Sequence, residues 1–220
     1  MIEPTNNNNI DCLLSDILYA PGLEGAPVVT IDQFLPEQER NAVFDAICAS
    51  HKQFKATPCS GEPSSFFLSL ESEKLGTDPL IKHVYERLSK RIKDQLPALF
   101  SALNITPFPV ENLSLTMING LNGHCGLPHS DESGGQYSIS LLYYFHKVPK
   151  AFCGGDLEFY DTDPSTAHGH AASPYGKIKY TDNLLIAFPS HVFHGITKVQ
   201  CDSGNFEDGR FVAAGFLGHR

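Results

Sequence analysis

The chain has 220 residues, 41% hydrophobic and 19% charged, which is enough apolar material for a buried core and excludes a predominantly disordered chain. Twenty-five Asp and Glu against sixteen Lys and Arg give a net charge of −9, a poor match to nucleic acid or an anionic membrane surface, because both recruit basic patches. No run approaches the roughly 18 apolar residues of a membrane span, the N-terminus has no basic leader before an apolar core, and six cysteines are scattered without a CxxC pair, so a soluble, cytoplasmic protein with reduced thiols is expected.

In chain order, residues 1–25 read as a flexible leader: Asn6 to Asn9 form a polar tract, and Pro21, Gly22 and Gly25 punctuate its C-terminal end. Residues 26–220 read as one domain. Val28 to Ile31 is a short β-branched run, and Pro36 with Glu37 and Glu39 marks a helix start, continued by Val43 and Ile47 at helical spacing. A second helix opens at Asp78-Pro79 and carries Ile81, Val84, Leu88, Ile92, Leu96, Leu99 and Leu103 at steps of three and four, a core stripe that Pro97 should end or kink. Between the helices, Phe66-Phe67 lies in a candidate strand too short to decide. After Pro109 the period becomes that of strands: Leu113–Asn119, Tyr137–Phe145, Asp156–Tyr160, Leu184–Phe188, Gly195–Val199 and Phe211–Leu217, divided by glycine and proline turns. The pattern predicts a mainly β domain with supporting helices, a helical support followed by a two-sheet β-roll.

Leu127-Pro128-His129-Ser130-Asp131-Glu132 carries the chemistry. If it is extended, the period of two places His129 and Asp131 on one face, where an imidazole and a carboxylate begin a divalent-metal site. A third ligand must come from a distant strand, and Phe188-Pro189-Ser190-His191-Val192-Phe193-His194 offers His194 or His191. Two His and one carboxylate on one face of an octahedral ion leave positions open, the arrangement of non-haem Fe(II) oxygenases. HxD alone is weak and equally describes a hydrogen-bonded pair at a strand end. Farther on, Gly209-Arg210 opens the last strand, and an Arg entering a core calls for an anion such as a dicarboxylate.

These pieces together resemble the 2-oxoglutarate- and Fe(II)-dependent dioxygenases, most closely the prolyl-hydroxylase group. The resemblance runs from about Val28 to Gly218, through PHSD, Leu142-Tyr143-Tyr144-Phe145, Gly154-Gly155-Asp156-Leu157, Asn183 to Ser190, His194 and Gly209-Arg210. It implies a double-stranded β-helix (jelly roll), with His129, Asp131 and His194 as iron ligands and Arg210 and Tyr144 binding the remote carboxylate of 2-oxoglutarate. It also implies the reaction: O2 and 2-oxoglutarate are consumed, succinate and CO2 are released, and a C–H bond is hydroxylated, with ascorbate an allowed accessory. The implied substrates are a prolyl residue of a protein or peptide, or a small molecule such as a free amino acid or natural product.

Two departures stand out. Where the family often has a tyrosine shortly before its first ligand, this chain reads Asn119-Gly120-Leu121-Asn122-Gly123, and the gap from His194 to Arg210 is lengthened by a turn over Cys201 to Asp208. Lys198, sharing strand parity with His194, competes with Arg210 as anchor. His168 and His170 form an HxH in a mobile-looking loop and could serve a cupin-like zinc or manganese site. His124 and Cys125 precede the ligand strand and could line the entrance to the site, a loop role being the default. Of Tyr143 and Tyr144 only one can face the barrel interior. Asp156 could touch substrate or brace a turn, and the long Thr162–Lys179 loop is the first candidate for substrate choice. A non-catalytic β-roll binding module is the competing class.

Overall fold

The structure, a computed structural model, describes residues 17–19, 25–59, 62–71, 78–110, 113–132 and 137–218. Its elements in order are β1 (Ile17–Tyr19), β2 (Val29–Ile31), α1 (Glu37–Ala49), β3 (Lys55–Cys59), β4 (Glu62–Glu71), α2 (Pro79–Ala102), β5 (Leu113–Gly120), β6 (Gly126–His129), β7 (Tyr137–Phe145), β8 (Leu157–Tyr160), β9 (Gly176–Ile178), β10 (Leu184–Pro189), β11 (Phe193–Ile196) and β12 (Arg210–Gly218). An eight-stranded sheet has the order β1-β2-β10-β7-β12-β5-β4-β3, and a four-stranded sheet the order β6-β11-β8-β9. The described strand pairs are all antiparallel. The two sheets pack face to face as a jelly roll, and the helices cover the outer face of the larger one.

Strand alternation sorts the side chains into two cores. On β7, Leu141, Tyr143 and Phe145 join Val43, Ile47, Val84, Leu88 and Leu99 beneath the helices, while Tyr144 faces the interior between the sheets with Phe159, Tyr180 and Phe188. Each such buried side chain contributes about 1.5–3 kcal/mol, and a one-residue slip of β7 would exchange the two sets. The same alternation on β12 sends Phe211 and Ala213 to the helices and Val212 and Ala214 to the interior. Arg210 shares the parity of that second pair.

The expected helix stripe is buried as read, with the Asp78 carboxylate accepting from the Leu80 amide at 2.8 Å as the N-cap and Pro79 in the first turn. Pro97 does not end the helix. It is exposed, as is Lys93, so the Lys93 carbonyl it frees can reach water and α2 continues to Ala102. Phe66 and Phe67 lie in β4, which joins the large sheet. Short β3 and β9 were not expected, and β9 falls inside the Thr162–Lys179 loop. Within the expected leader, Ile17–Tyr19 pairs with β2; residues 1–16 and 20–24 lie outside the described residues. None of the described cysteines forms a disulfide, and no described helix is long and apolar enough to cross a membrane.

Candidate active site

β6 and β11 are hydrogen-bonded neighbours, and His129 and His194 are register partners, which sets their rings side by side with centroids 4.4 Å apart. The strand expected at Gly195–Val199 starts two residues earlier, at Phe193, so His194 lies within β11 rather than ahead of it. Just past β6, the Asp131 amide donates to the Ser190 carbonyl at 2.9 Å, which turns its carboxylate toward both rings. Asp131 Oδ1 is 3.7 Å from His129 Nε2, and Oδ2 is 3.5 Å from His194 Nε2. One donor atom from each of the three residues falls within 4.8 Å of the others.

Both imidazoles are held in one tautomer. Nδ1 of His129 donates to the Leu127 carbonyl at 2.8 Å and Nδ1 of His194 to the Val192 carbonyl at 3.0 Å, so each Nε2 lone pair is left toward Asp131. Burial holds the His194 pKa down to about 4, only partly opposed by the Asp131 carboxylate, so the ring is neutral and able to ligate at pH 7. The carboxylate is braced in turn: Ser140 Oγ, buried on β7, donates to Asp131 Oδ2 at 2.7 Å and lies 3.0 Å from Ser190 Oγ. Two neutral imidazoles and one braced carboxylate fit a divalent ion such as Fe(II).

Arg210 is buried at the start of β12. Its Nε donates to the Gly155 carbonyl at 2.7 Å, and its guanidinium lies 4.9 Å from the ring centroids of both Tyr144 and Tyr180. Those two rings stack at 4.4 Å, and Tyr180 Oη is anchored on the Phe145 and Phe211 carbonyls. Gly155 has φ +76°, and a Cβ there would fall 2.5 Å from Arg210 Cδ, so the double glycine makes room for the guanidinium stem. Arg210 Nη2 and Tyr144 Oη are buried without a hydrogen-bond partner among the described residues. Burial lifts the Tyr144 phenol above its ordinary pKa although Arg210 opposes the shift, so it stays a neutral O–H donor. A cavity of about 260 Å³ is lined by Arg210 and His129 together with Ile118, Leu142 and Val212. A guanidinium with an unpartnered Nη2, lining the same cavity as His129 and set against an unpartnered phenol, fits the remote carboxylate of a dicarboxylate.

The other candidates fall elsewhere. Lys198 and His191 are exposed, and His191 lines a separate surface cleft beside Tyr137 and Leu103. His168 and His170 sit 5.9 Å apart in their loop, and no cluster of three potential ligands other than His129, Asp131 and His194 occurs among the described residues. Asp156 braces a turn, accepting from the Tyr180 amide at 2.9 Å. Tyr143 turns to the helices and donates to Asn183 Oδ1 at 3.0 Å. Residues 206–208 of the inserted turn form a short 3-10 helix whose Phe206 packs on Phe54 and Phe211. Sequence reasoning passed over Tyr180, Ser140 and Ser190; the small polar Ser140 amid the apolar residues of β7 was the available signal.

Residues 115–218, which hold all five of these site residues, match the model of the 2OG-Fe(II) oxygenase superfamily. The matched segment is the one that carries the site, and over it the chain is similar to that superfamily. It is 29% identical over 210 residues to an uncharacterised PKHD-type hydroxylase of Synechocystis, covering 92% of this chain and 65% of the relative, so the chain spans about two thirds of that protein's length. Among solved structures, a Trichoplax adhaerens prolyl hydroxylase in complex with a hypoxia inducible factor peptide superposes with TM-score 0.68 at 14% identity, covering 98% of this chain and 94% of the other. A Pseudomonas putida prolyl-4-hydroxylase gives 0.61 at 15%, covering 96% and 99%. The epimerase SnoN from nogalamycin biosynthesis gives 0.60 at 12%, covering 97% and 84%. At such identities these neighbours share the jelly-roll fold.

Proposed function

We propose that the protein is an Fe(II)- and 2-oxoglutarate-dependent dioxygenase that hydroxylates a C–H bond, with a prolyl residue of a protein or peptide as substrate. The observation that carries this reading is the cluster of His129, Asp131 and His194 donors beside a cavity lined by both His129 and the partly unsatisfied Arg210, whose guanidinium lies against the Tyr144 ring. His129, Asp131 and His194 would hold Fe(II), and Arg210 with Tyr144 would hold the remote carboxylate of 2-oxoglutarate. The bound iron and cosubstrate supply the oxidising power through O2 reduction coupled to decarboxylation. The chain's own work is ligation, orientation and exclusion of water. Ser140 keeps the Asp131 carboxylate turned to the metal position, the two backbone-tethered imidazoles present Nε2, and the apolar walls Ile118, Leu142 and Val212 dry the space between.

The Thr162–Lys179 loop is our candidate for choosing the substrate. His170 packs 5.4 Å from Phe193, which precedes His194 on β11, and 5.6 Å from Tyr160, so the loop lies against the strand that carries His194, on the face of the small sheet opposite that ligand. The reading is tested by supplying Fe(II), 2-oxoglutarate and O2 and measuring succinate with prolyl peptides, free amino acids and natural-product scaffolds as candidate substrates. Proline-containing peptides that stimulate succinate release and gain one oxygen support the prolyl assignment; stimulation by small molecules alone refutes it. No substrate-stimulated turnover with any class, in protein that binds iron and cosubstrate, would count against hydroxylation itself.

A further inference from the structure

Gly120 on β5 and Arg210 on β12 are register partners, and Gly120 shares the inward face with Ile118. The position beside the buried guanidinium therefore has no side chain of its own. His124 fills it: a Cβ built on Gly120 would lie 2.0 Å from His124 Nδ1, so the imidazole stands in the volume that a side chain at 120 would take. The ring is held there firmly. The His124 amide donates to the Leu121 carbonyl at 3.0 Å, the Gly123 amide to the Val199 carbonyl at 2.9 Å and the Val199 amide to the His124 carbonyl at 2.8 Å, while Phe67 packs 5.6 Å from the ring.

His124 is 4% exposed, and its Nδ1 faces the Gly120 backbone without a partner among the described residues. A proton on that nitrogen would be a buried, unsatisfied donor pressed against a Cα, so the neutral ring carries its proton on Nε2. Burial, reinforced by the Arg210 charge, holds the ring's pKa down to about 3 and keeps it neutral. His124 lines the same cavity as Arg210 and His129. An N–H donor beside a guanidinium whose Nη2 lacks an acceptor among the described residues recognises an anion, not a cation or an apolar group.

Resting on the dioxygenase reading, we propose that His124 is a cosubstrate-positioning residue whose Nε2–H donates to the 2-oxoglutarate carboxylate held at Arg210. It would occupy, from the following turn, the place beside the cosubstrate that β5 leaves empty at Gly120.

The test is anaerobic titration of the full-length, Fe(II)-loaded protein with 2-oxoglutarate, for wild type, His124→Phe and His124→Gln. Phe keeps the volume without the donor, and Gln keeps an N–H. The expected result is about tenfold or weaker cosubstrate binding in the Phe variant and affinity within about threefold of wild type in the Gln variant, with Fe(II) affinity the same in all three. Wild-type affinity in the Phe variant would overturn the assignment and leave His124 as packing. Should the Phe variant fail to fold, wild type carries the test: in zinc-loaded protein, the His124 imidazole N–H resonance should move downfield when 2-oxoglutarate is added, and an unmoved resonance refutes the contact. A wild-type protein that binds no 2-oxoglutarate would instead fail the dioxygenase reading itself and take this assignment with it.

Discussion

The two faces of the eight-stranded sheet differ less in apolar content than in what becomes of their polar groups. Tyr143 and Tyr144 are adjacent on β7, equally buried, and point to opposite sides. Under the helices, Tyr143 Oη donates to Asn183 Oδ1, Asn183 Nδ2 donates to the Leu35 carbonyl, and Arg40 pairs with Asp182 at 2.6 Å. Among the described residues on that side, Ser89 Oγ and Asn119 Oδ1 lack partners, but neither belongs to a charged group. Between the sheets, among the described residues, the charged Arg210, the Tyr144 phenol and the His124 imidazole are each left with an unpartnered atom, and Arg210 and His124 line one cavity. A protein does not keep a buried guanidinium half-satisfied for stability, since an unmade bond to a charged group is costly. The helix face is built to fold, and the inner face is built to be completed by a ligand.

The sharpest break of this contrast is at the metal end. Asp131→Ala removes the only carboxylate of the triad and should lower Fe(II) affinity by about 100-fold or more, read by equilibrium competition with a chelator, while the thermal midpoint of the metal-free protein changes little. Leu88→Ala, wholly buried under the helices, should do the converse: about 2–5 kcal/mol lost in denaturant unfolding, with Fe(II) and 2-oxoglutarate affinity of the folded protein unchanged. Arg210→Ala should weaken 2-oxoglutarate binding by about 1.5–3 kcal/mol and leave iron binding nearly intact; undiminished cosubstrate affinity would return the anchor role to Lys198. The smallest effects come from the tyrosine pair. Tyr143→Phe should cost about 1 kcal/mol of stability and no cosubstrate affinity, whereas Tyr144→Phe should cost affinity and no stability.

Acid tests the same contrast through His124. Its pKa is depressed from 6.5 in the unfolded chain to about 3 in the folded one, so the unfolded state takes up a proton first. The stability tied to the neutral ring is complete above pH 6.5 and lost as the pH falls toward 3. In metal-free protein, His124→Phe should therefore flatten the decline of unfolding free energy across that window; an unchanged slope would show that the ring is not buried neutral.

Much of this was legible in the residues. Apolar, β-branched and aromatic runs bounded by turn residues located β5, β7, β10 and β12 to within a residue or so at each end, and HxD with a later His and Arg pointed to four candidate site residues, to which the family resemblance added Tyr144; the first three cluster, and Arg210 lies against Tyr144. β3 and β9 were missed because five- and three-residue strands, one containing Pro58, pair through their backbones and leave little hydrophobic pattern. His194 was set outside its strand because Val192, Phe193 and Ile196 do not alternate cleanly. His124 read by default as a loop residue that could line the entrance, and only the register pairing of Gly120 with Arg210 reveals that the glycine is a vacancy for its ring. Ser140 and Ser190 are contacts across 50 residues, invisible to any local pattern.

Anaerobic addition of Fe(II) and then 2-oxoglutarate to the metal-free protein bears most directly on whether the inner face is a cosubstrate site. One equivalent of each should produce a weak visible metal-to-ligand charge-transfer band that is absent with iron alone and absent in Asp131→Ala. A wild-type protein that takes up iron but shows no such band on saturation with 2-oxoglutarate would contradict the assignment of Arg210, Tyr144 and the triad to one chelated cosubstrate.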